Sequence, residues 1–215
     1  MIRTLIAVTT CHARRGQAEA QQSTWAKNLP NVKFFLGGDD AVHDNEVLLN
    51  VDDSYAGLPA KVKATCRWAL DHGYEAMLKL DDDVYLVPER FYKAGFEMFD
   101  YVGNFRMWNG KYPHDYASGF AYYLGGKALE IIAYAPLTDD SMEDRWVGNT
   151  LGPFYSRLRL HDEKRFACLY PTGIEEGKFL WGCPVGKTCI AIAQYPAHKF
   201  ADLHYWYQRA QGMQV

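Results

Sequence analysis

Four apolar runs of strand length fall within the first 80 residues, at Thr4 to Val8, Val32 to Leu36, Glu46 to Val51 and Ala76 to Leu80. Helix-like stretches separate the first two runs and the last two, and that alternation predicts a layered α/β fold. The clearest helix is Pro59 to His72, where Val62, Cys66, Ala69 and Leu70 recur at helical spacing, proline suits the first turn and Gly73 marks the stop. After it, Met77, Leu78 and Leu80 form a buried strand that runs straight into Asp81-Asp82-Asp83. The acidic cluster is therefore expected where a strand leaves the core, at the carboxyl edge that binds ligands in open α/β sheets.

Beyond Pro88 the pattern predicts a helix (Glu89 to Phe96), a strand (Tyr101 to Phe105), an aromatic loop (Met107 to Tyr116), a strand (Gly119 to Leu124) and a helix (Lys127 to Tyr134). Periodicity is weak from Pro153 to Ala193, where only Lys187 to Ala193 reads as a strand, ahead of a final helix around Ala201 to Gln211. No repeat, low-complexity tract or linker divides the chain, so residues 1–215 read as one domain with a hydrophobic content of 48%, enough for a core of its own.

Several function classes recede on this evidence. A net charge of −3 gives no global attraction to nucleic-acid phosphates. The run Leu5 to Val8 is far shorter than a signal sequence or a membrane span, and five cysteines without CxxC spacing argue against a zinc site and a disulfide framework. The expectation is a soluble cytoplasmic protein, with Cys183 and Cys189 left as one pair able to join. Gly182-Cys183-Pro184-Val185-Gly186-Lys187-Thr188 imitates a phosphate loop but has three residues where four are needed before Gly-Lys-Thr, and reads instead as a turn between strands.

Three adjacent carboxylates repel one another unless solvent or a cation offsets the charge. Mg²⁺ or Mn²⁺ does so readily, binding one or two carboxylates together with substrate phosphates, which suits a diphosphate leaving group. Three aspartates alone fit a solvated acidic turn equally well.

Several separated segments carry a more specific signal. Ser23-Thr24-Trp25, Phe35-Leu36-Gly37, Asp53-Ser54-Tyr55 with Leu58, Lys61, Lys63 and Thr65, Lys79-Leu80-Asp81-Asp82-Asp83-Val84-Tyr85, Tyr112-Pro113, Ser118-Gly119-Phe120-Ala121-Tyr122 and Glu143-Asp144-Arg145-Trp146-Val147-Gly148 follow in order. Together they resemble the β-1,3-glycosyltransferases of family 31, which include the Fringe-like enzymes, over roughly residues 4 to 150. The resemblance implies a GT-A fold, a nucleotide-diphospho-sugar transferase domain of Rossmann-like type with a central mixed sheet. It further implies inverting transfer of a galactose or N-acetylglucosamine type sugar from a UDP-sugar to an acceptor hydroxyl, in a β-1,3 linkage.

Under that resemblance Asp144 is the general base with Glu143 as its supporting neighbour, although a Glu-Asp pair is also a common helix start. Asp83 and Asp81 are expected as ligands of Mn²⁺ or Mg²⁺, His198 as a further one, and His204 as a packing residue. Donor contacts are expected from Thr9, Thr10, Arg15, Asp53, Lys63, Asp81 and Asp82, with Asp52 and Asp53 equally explained by an exposed turn. Trp108, Tyr112, Tyr116 and Trp146 are candidates for stacking on the acceptor sugar. Animal members of the family carry a membrane anchor and stem, so this chain reads as a bacterial or viral version. Its acceptor is left open among a polysaccharide, a lipid-linked glycan, a protein and a modified nucleobase. The competing functions are a noncatalytic sugar-binding module and a metal-dependent phosphoester hydrolase.

Overall fold

The computed structural model describes residues 2–38, 44–106, 115–169, 179–181, 188–193 and 197–210. β1 (Thr4–Thr9) has Leu5, Ile6, Ala7 and Val8 all fully buried, because it is covered on both faces. α1 (Arg15–Gln22) leads to β2 (Val32–Gly37), and β3 (Glu46–Leu49) follows; both strands run parallel to β1 on one side. α2 (Leu58–Asp71) then crosses over to β4 (Ala76–Asp81), which pairs in parallel with the other side of β1.

Beyond β4 come the short β5 (Tyr85–Leu86), α3 (Pro88–Tyr92), β6 (Tyr101–Arg106), β7 (Tyr116–Gly125), α4 (Gly126–Tyr134), α5 (Glu143–Leu151), β8 (Leu160–Asp162), β9 (Phe166–Leu169), β10 (Phe179–Trp181), β11 (Ala191–Ala193) and α6 (Phe200–Ala210). The main sheet has seven strands in the order β3-β2-β1-β4-β7-β6-β8, mixed because β7 is antiparallel to both β4 and β6. A second sheet of four strands has the order β10-β9-β11-β5.

Alternation along the strands sorts the core into two layers. Leu5, Ala7, Phe35 and Met77 pack with Val62 and Cys66 of α2, Leu129 and Ile132 of α4, and Trp146 and Val147 of α5. Ile6, Val8, Phe34, Leu78 and Leu80 pack on the opposite face with Ala18 of α1, Phe200 of α6 and the second sheet.

The expected α/β class is present, and the first four strands and α2 match the expected positions to within about two residues. The structure changes other boundaries. The helix expected over Glu89 to Phe96 stops at Tyr92, because Gly95 turns the chain at φ 74° into a 3-10 turn at Phe96–Met98. Within the expected strand Lys187 to Ala193 the described residues 188–193 form only β11, and the described residues of the last third supply four strands where the sequence predicts one. β3 ends at Leu49 rather than Val51. The chain after it closes on Gly37, where a Cβ would stand 2.5 Å from the Val51 carbonyl oxygen, and this contact brings Asp53 to the end of β2. No helix among the described residues is long and apolar enough to cross a membrane.

Candidate functional site

The chain leaves β1 toward β2 on one side and reaches β4 on the other, so the strand order reverses between β1 and β4. A crevice must open at their carboxyl ends, where Thr9 stands opposite Asp81. A cavity of about 290 Å³ occupies that crevice, lined among others by Thr9, Thr10, Arg14, Asp53, Lys61 and Asp81 to Asp83. A second cavity of about 320 Å³ is lined by Gly119, Phe120, Met142, Glu143 and Asp144. The two share Tyr55, Leu58, Asp81 and Asp83 as common wall.

The three aspartates occupy three different environments. Asp82 is buried and accepts hydrogen bonds from Thr10 Oγ1 at 2.8 Å and from Arg14 Nε and Nη2 at 2.9 and 2.6 Å, so it braces the crevice floor more than it faces a ligand. Asp83 lies 3.4 Å from Arg14 Nη2, and the Asp81 side chain is 40% exposed while receiving Lys79 Nζ. Asp81 and Asp83, unlike Asp82, line both cavities with carboxylates that are not buried. These are the hard donors that Mg²⁺ or Mn²⁺ takes alongside phosphate oxygens.

The crevice wall departs from expectation at two cations. Arg15 turns to Glu46 at the start of β3, 3.4 Å away, and does not line the cavity; Arg14 does, because the 3-10 turn His12–Arg14 carries it over the sheet edge. Lys63 is likewise absent from the cavity wall. Lys61, fully buried one half-turn earlier, donates to the Thr10 carbonyl at 2.8 Å and to Asp53 Oδ1 at 2.7 Å. Asp53 also accepts the amides of Gly37 (2.7 Å) and His12 (2.8 Å). Burial pushes its carboxyl up, but Lys61 and the two amides outweigh this and hold it below the ordinary carboxylate range. Asp52 makes only an exposed turn with Ser54. Thr9 Oγ1 is buried at the cavity wall without a hydrogen-bond partner among the described residues.

On the far wall α5 begins with the Glu143-Asp144 pair. Glu143 is buried, accepts the Tyr122 hydroxyl and lies 3.3 Å from Lys79 Nζ. Its carboxyl is pushed up to about 7, chiefly by burial and further by Asp144 and Asp81, against the pull of Lys79 and Tyr122. Asp144 is half-buried at the cavity, with Oδ2 accepting Gly119 N–H at 3.2 Å and Oδ1 accepting its neighbour's amide, Arg145 N–H, at 2.8 Å. A Cβ on Gly119 would stand 3.3 Å from Asp144 Cβ, so a glycine there lets β7 approach Asp144 closely.

The aromatic candidates are corrected. Tyr116 is buried in β7, and Trp146 is buried between helices with Nε1 donating to the Pro136 carbonyl at 3.3 Å; Trp108 and Tyr112 lie outside the described residues. Trp146→Ala is accordingly expected to destabilise the fold by about 3–5 kcal/mol in denaturant titration, as large core truncations do, with no selective loss of sugar affinity.

His198 is exposed on the 3-10 turn Ala197–Lys199, and no group of three or more metal-ligating side chains is assembled among the described residues. His204 packs as expected, with Nδ1 2.8 Å from the Tyr85 hydroxyl. Cys183, and with it any pairing to Cys189, lies outside the described residues, as does Gly182 to Lys187, whose flanking elements are the strands β10 and β11.

No family model matches the sequence, so the likeness to family 31 stays at the level of motifs, and no curated protein matches it. Among solved structures, an active-site mutant of LgtC is similar with a TM-score of 0.50 and 11% identity, covering 98% of this chain and 96% of that one. The galactosyltransferase LgtC in complex with donor and acceptor sugar analogues matches with a TM-score of 0.48 and 10% identity, covering 98% and 96%. A glycosyltransferase involved in glycosylation of the major capsid of PBCV-1 matches with a TM-score of 0.48 and 14% identity, covering 94% and 99%. At these identities the likeness is one of fold, and the fold is of the GT-A type.

Proposed function

We propose that the chain is a glycosyltransferase of one catalytic domain that moves a sugar from a nucleotide-diphosphate donor to an acceptor hydroxyl. The observation that carries this reading is the pair of cavities sharing Asp81 and Asp83, with Asp144 on the wall of only one of them. A donor in the crevice of β1 and β4 would extend its diphosphate to the shared carboxylates and its sugar toward the second cavity. Thr9 Oγ1 would gain a donor-side partner on binding. The acceptor oxygen, entering the second cavity, attacks the anomeric carbon while its proton passes to the Asp144 carboxylate and the bond to the diphosphate breaks.

Asp81 and Asp83 would hold Mn²⁺ or Mg²⁺, and when bound the ion supplies Lewis-acid stabilisation to the charge growing on the diphosphate. Arg14 adds a cation paired with Asp82 and 3.4 Å from Asp83. The finer features follow the motif resemblance: a UDP-linked galactose or N-acetylglucosamine type sugar, inversion and a β-1,3 linkage; a cytoplasmic site of action rests instead on the five cysteines without CxxC spacing.

The test is release of UDP from a panel of UDP-sugars with Mn²⁺, with and without chelator. Release from one donor, abolished by chelation, is expected. Tight UDP binding without release from any donor or acceptor mixture would favour a binding module, and phosphate release from simple phosphoesters a hydrolase.

A further inference from the structure

Lys79 is fully buried on β4, and its side chain lies on the same face as Met77 and Asp81. An ammonium has three donors and no acceptor, and here each donor has an oxygen from a different element. The partners are Asp81 Oδ1 on β4 at 2.5 Å, the Gly119 carbonyl on β7 at 2.5 Å and Glu143 Oε2 on α5 at 3.3 Å. Gly119 in turn gives its N–H to Asp144, and Glu143 directly precedes Asp144 in the first turn of α5.

We propose that Lys79 is a positioning residue that locks the diphosphate-side carboxylate Asp81 and the acceptor-side base Asp144 in one fixed relation, through a single buried ammonium; this rests on the glycosyltransferase reading above. Stability alone gives little reason for the arrangement, because buried ion pairs replaced by apolar side chains of similar volume are often neutral or stabilising. Register gives a reason. The second cavity is lined by Asp81, Asp83, Glu143 and Asp144 and by no Lys or Arg among its described residues, so like charge drives its walls apart. Lys79 is the cation beneath them that touches two of the four directly and holds the carbonyl of the glycine whose N–H reaches a third. Displacement of a base by about 1 Å costs on the order of 100-fold in rate.

Lys79→Met alone leaves two carboxylates uncompensated and risks unfolding. The informative comparison is Lys79→Met/Glu143→Gln against Glu143→Gln, since both variants avoid a stranded Glu143 charge. Each is assayed for thermal unfolding, UDP affinity with Mn²⁺, and kcat and KM of the UDP-sugar turnover. The double variant is expected to fold and to keep its donor KM within about threefold, while kcat falls about 100-fold below that of Glu143→Gln. A folded double variant with kcat within about threefold of the single, or with a loss confined to KM, overturns the proposal. Wild-type protein that turns over no UDP-sugar fails the glycosyltransferase reading itself and takes this inference with it.

Discussion

Asp144→Asn is expected to lower kcat for sugar transfer by about 100- to 10,000-fold, the range over which a positioned general base contributes. The substitution keeps size and shape, and the asparagine oxygen can still accept Gly119 N–H or Arg145 N–H, each now at 3.2 and 2.8 Å. Loss of one of those acceptor contacts costs about 1 kcal/mol of stability, too little to unfold the protein. Asp144 also lies outside the lining of the β1 and β4 crevice, so UDP affinity in the presence of Mn²⁺ should stay at the wild-type value. The measurement is single-turnover transfer alongside equilibrium UDP binding. Transfer within tenfold of wild type would remove Asp144 from the role of base, whereas equal losses in binding and rate would mark it as a structural residue of the crevice.

The parts of this site that were legible in sequence are those where one local pattern fixes one position. A run with apolar residues on both faces, as in β1 and β4, can only be a covered strand, and the residues at its end must emerge at a sheet edge; Thr9, Thr10 and Asp81 followed from that. Asp144 came from a motif that happens to open a helix against β7. Direction was harder to read than position. Arg14 and Arg15 are adjacent, and only a 3-10 turn before α1 decides which reaches the crevice. Trp146 and Tyr116 lie close in sequence to residues lining the second cavity, yet their side chains enter the core, which aromatic content cannot distinguish from a sugar platform. The second sheet was illegible for a different reason: β5 has two residues and pairs with β11 about a hundred residues later, and neither strand is long enough to establish a period.

The same problem of direction makes Lys61 and Lys63 a sharp contrast. Two residues along a helix turn the side chain by about 200°, so one lysine of α2 faces the sheet and the other faces away. Lys61→Met is expected to destabilise the fold by about 3 kcal/mol, the lower end for breaking a buried pair, because Asp53 keeps two amide partners and a 23% exposed side chain. Lys63→Met, at a half-buried position off the crevice, should stay within about 0.5 kcal/mol.

The pH dependence separates this ion pair from simple packing loss. The folded state holds the Asp53 carboxyl below its unfolded value, so its stabilisation is present above the ordinary carboxylate range and disappears as pH falls through the depressed value. The gap in unfolding free energy between wild type and Lys61→Met should therefore be full at neutral pH and narrow below about pH 4, measured by urea titration at each pH. A gap that stays constant into acid would mean that the Lys61 ammonium's bond to the Thr10 carbonyl carries the stability and that the clasp on Asp53 does not.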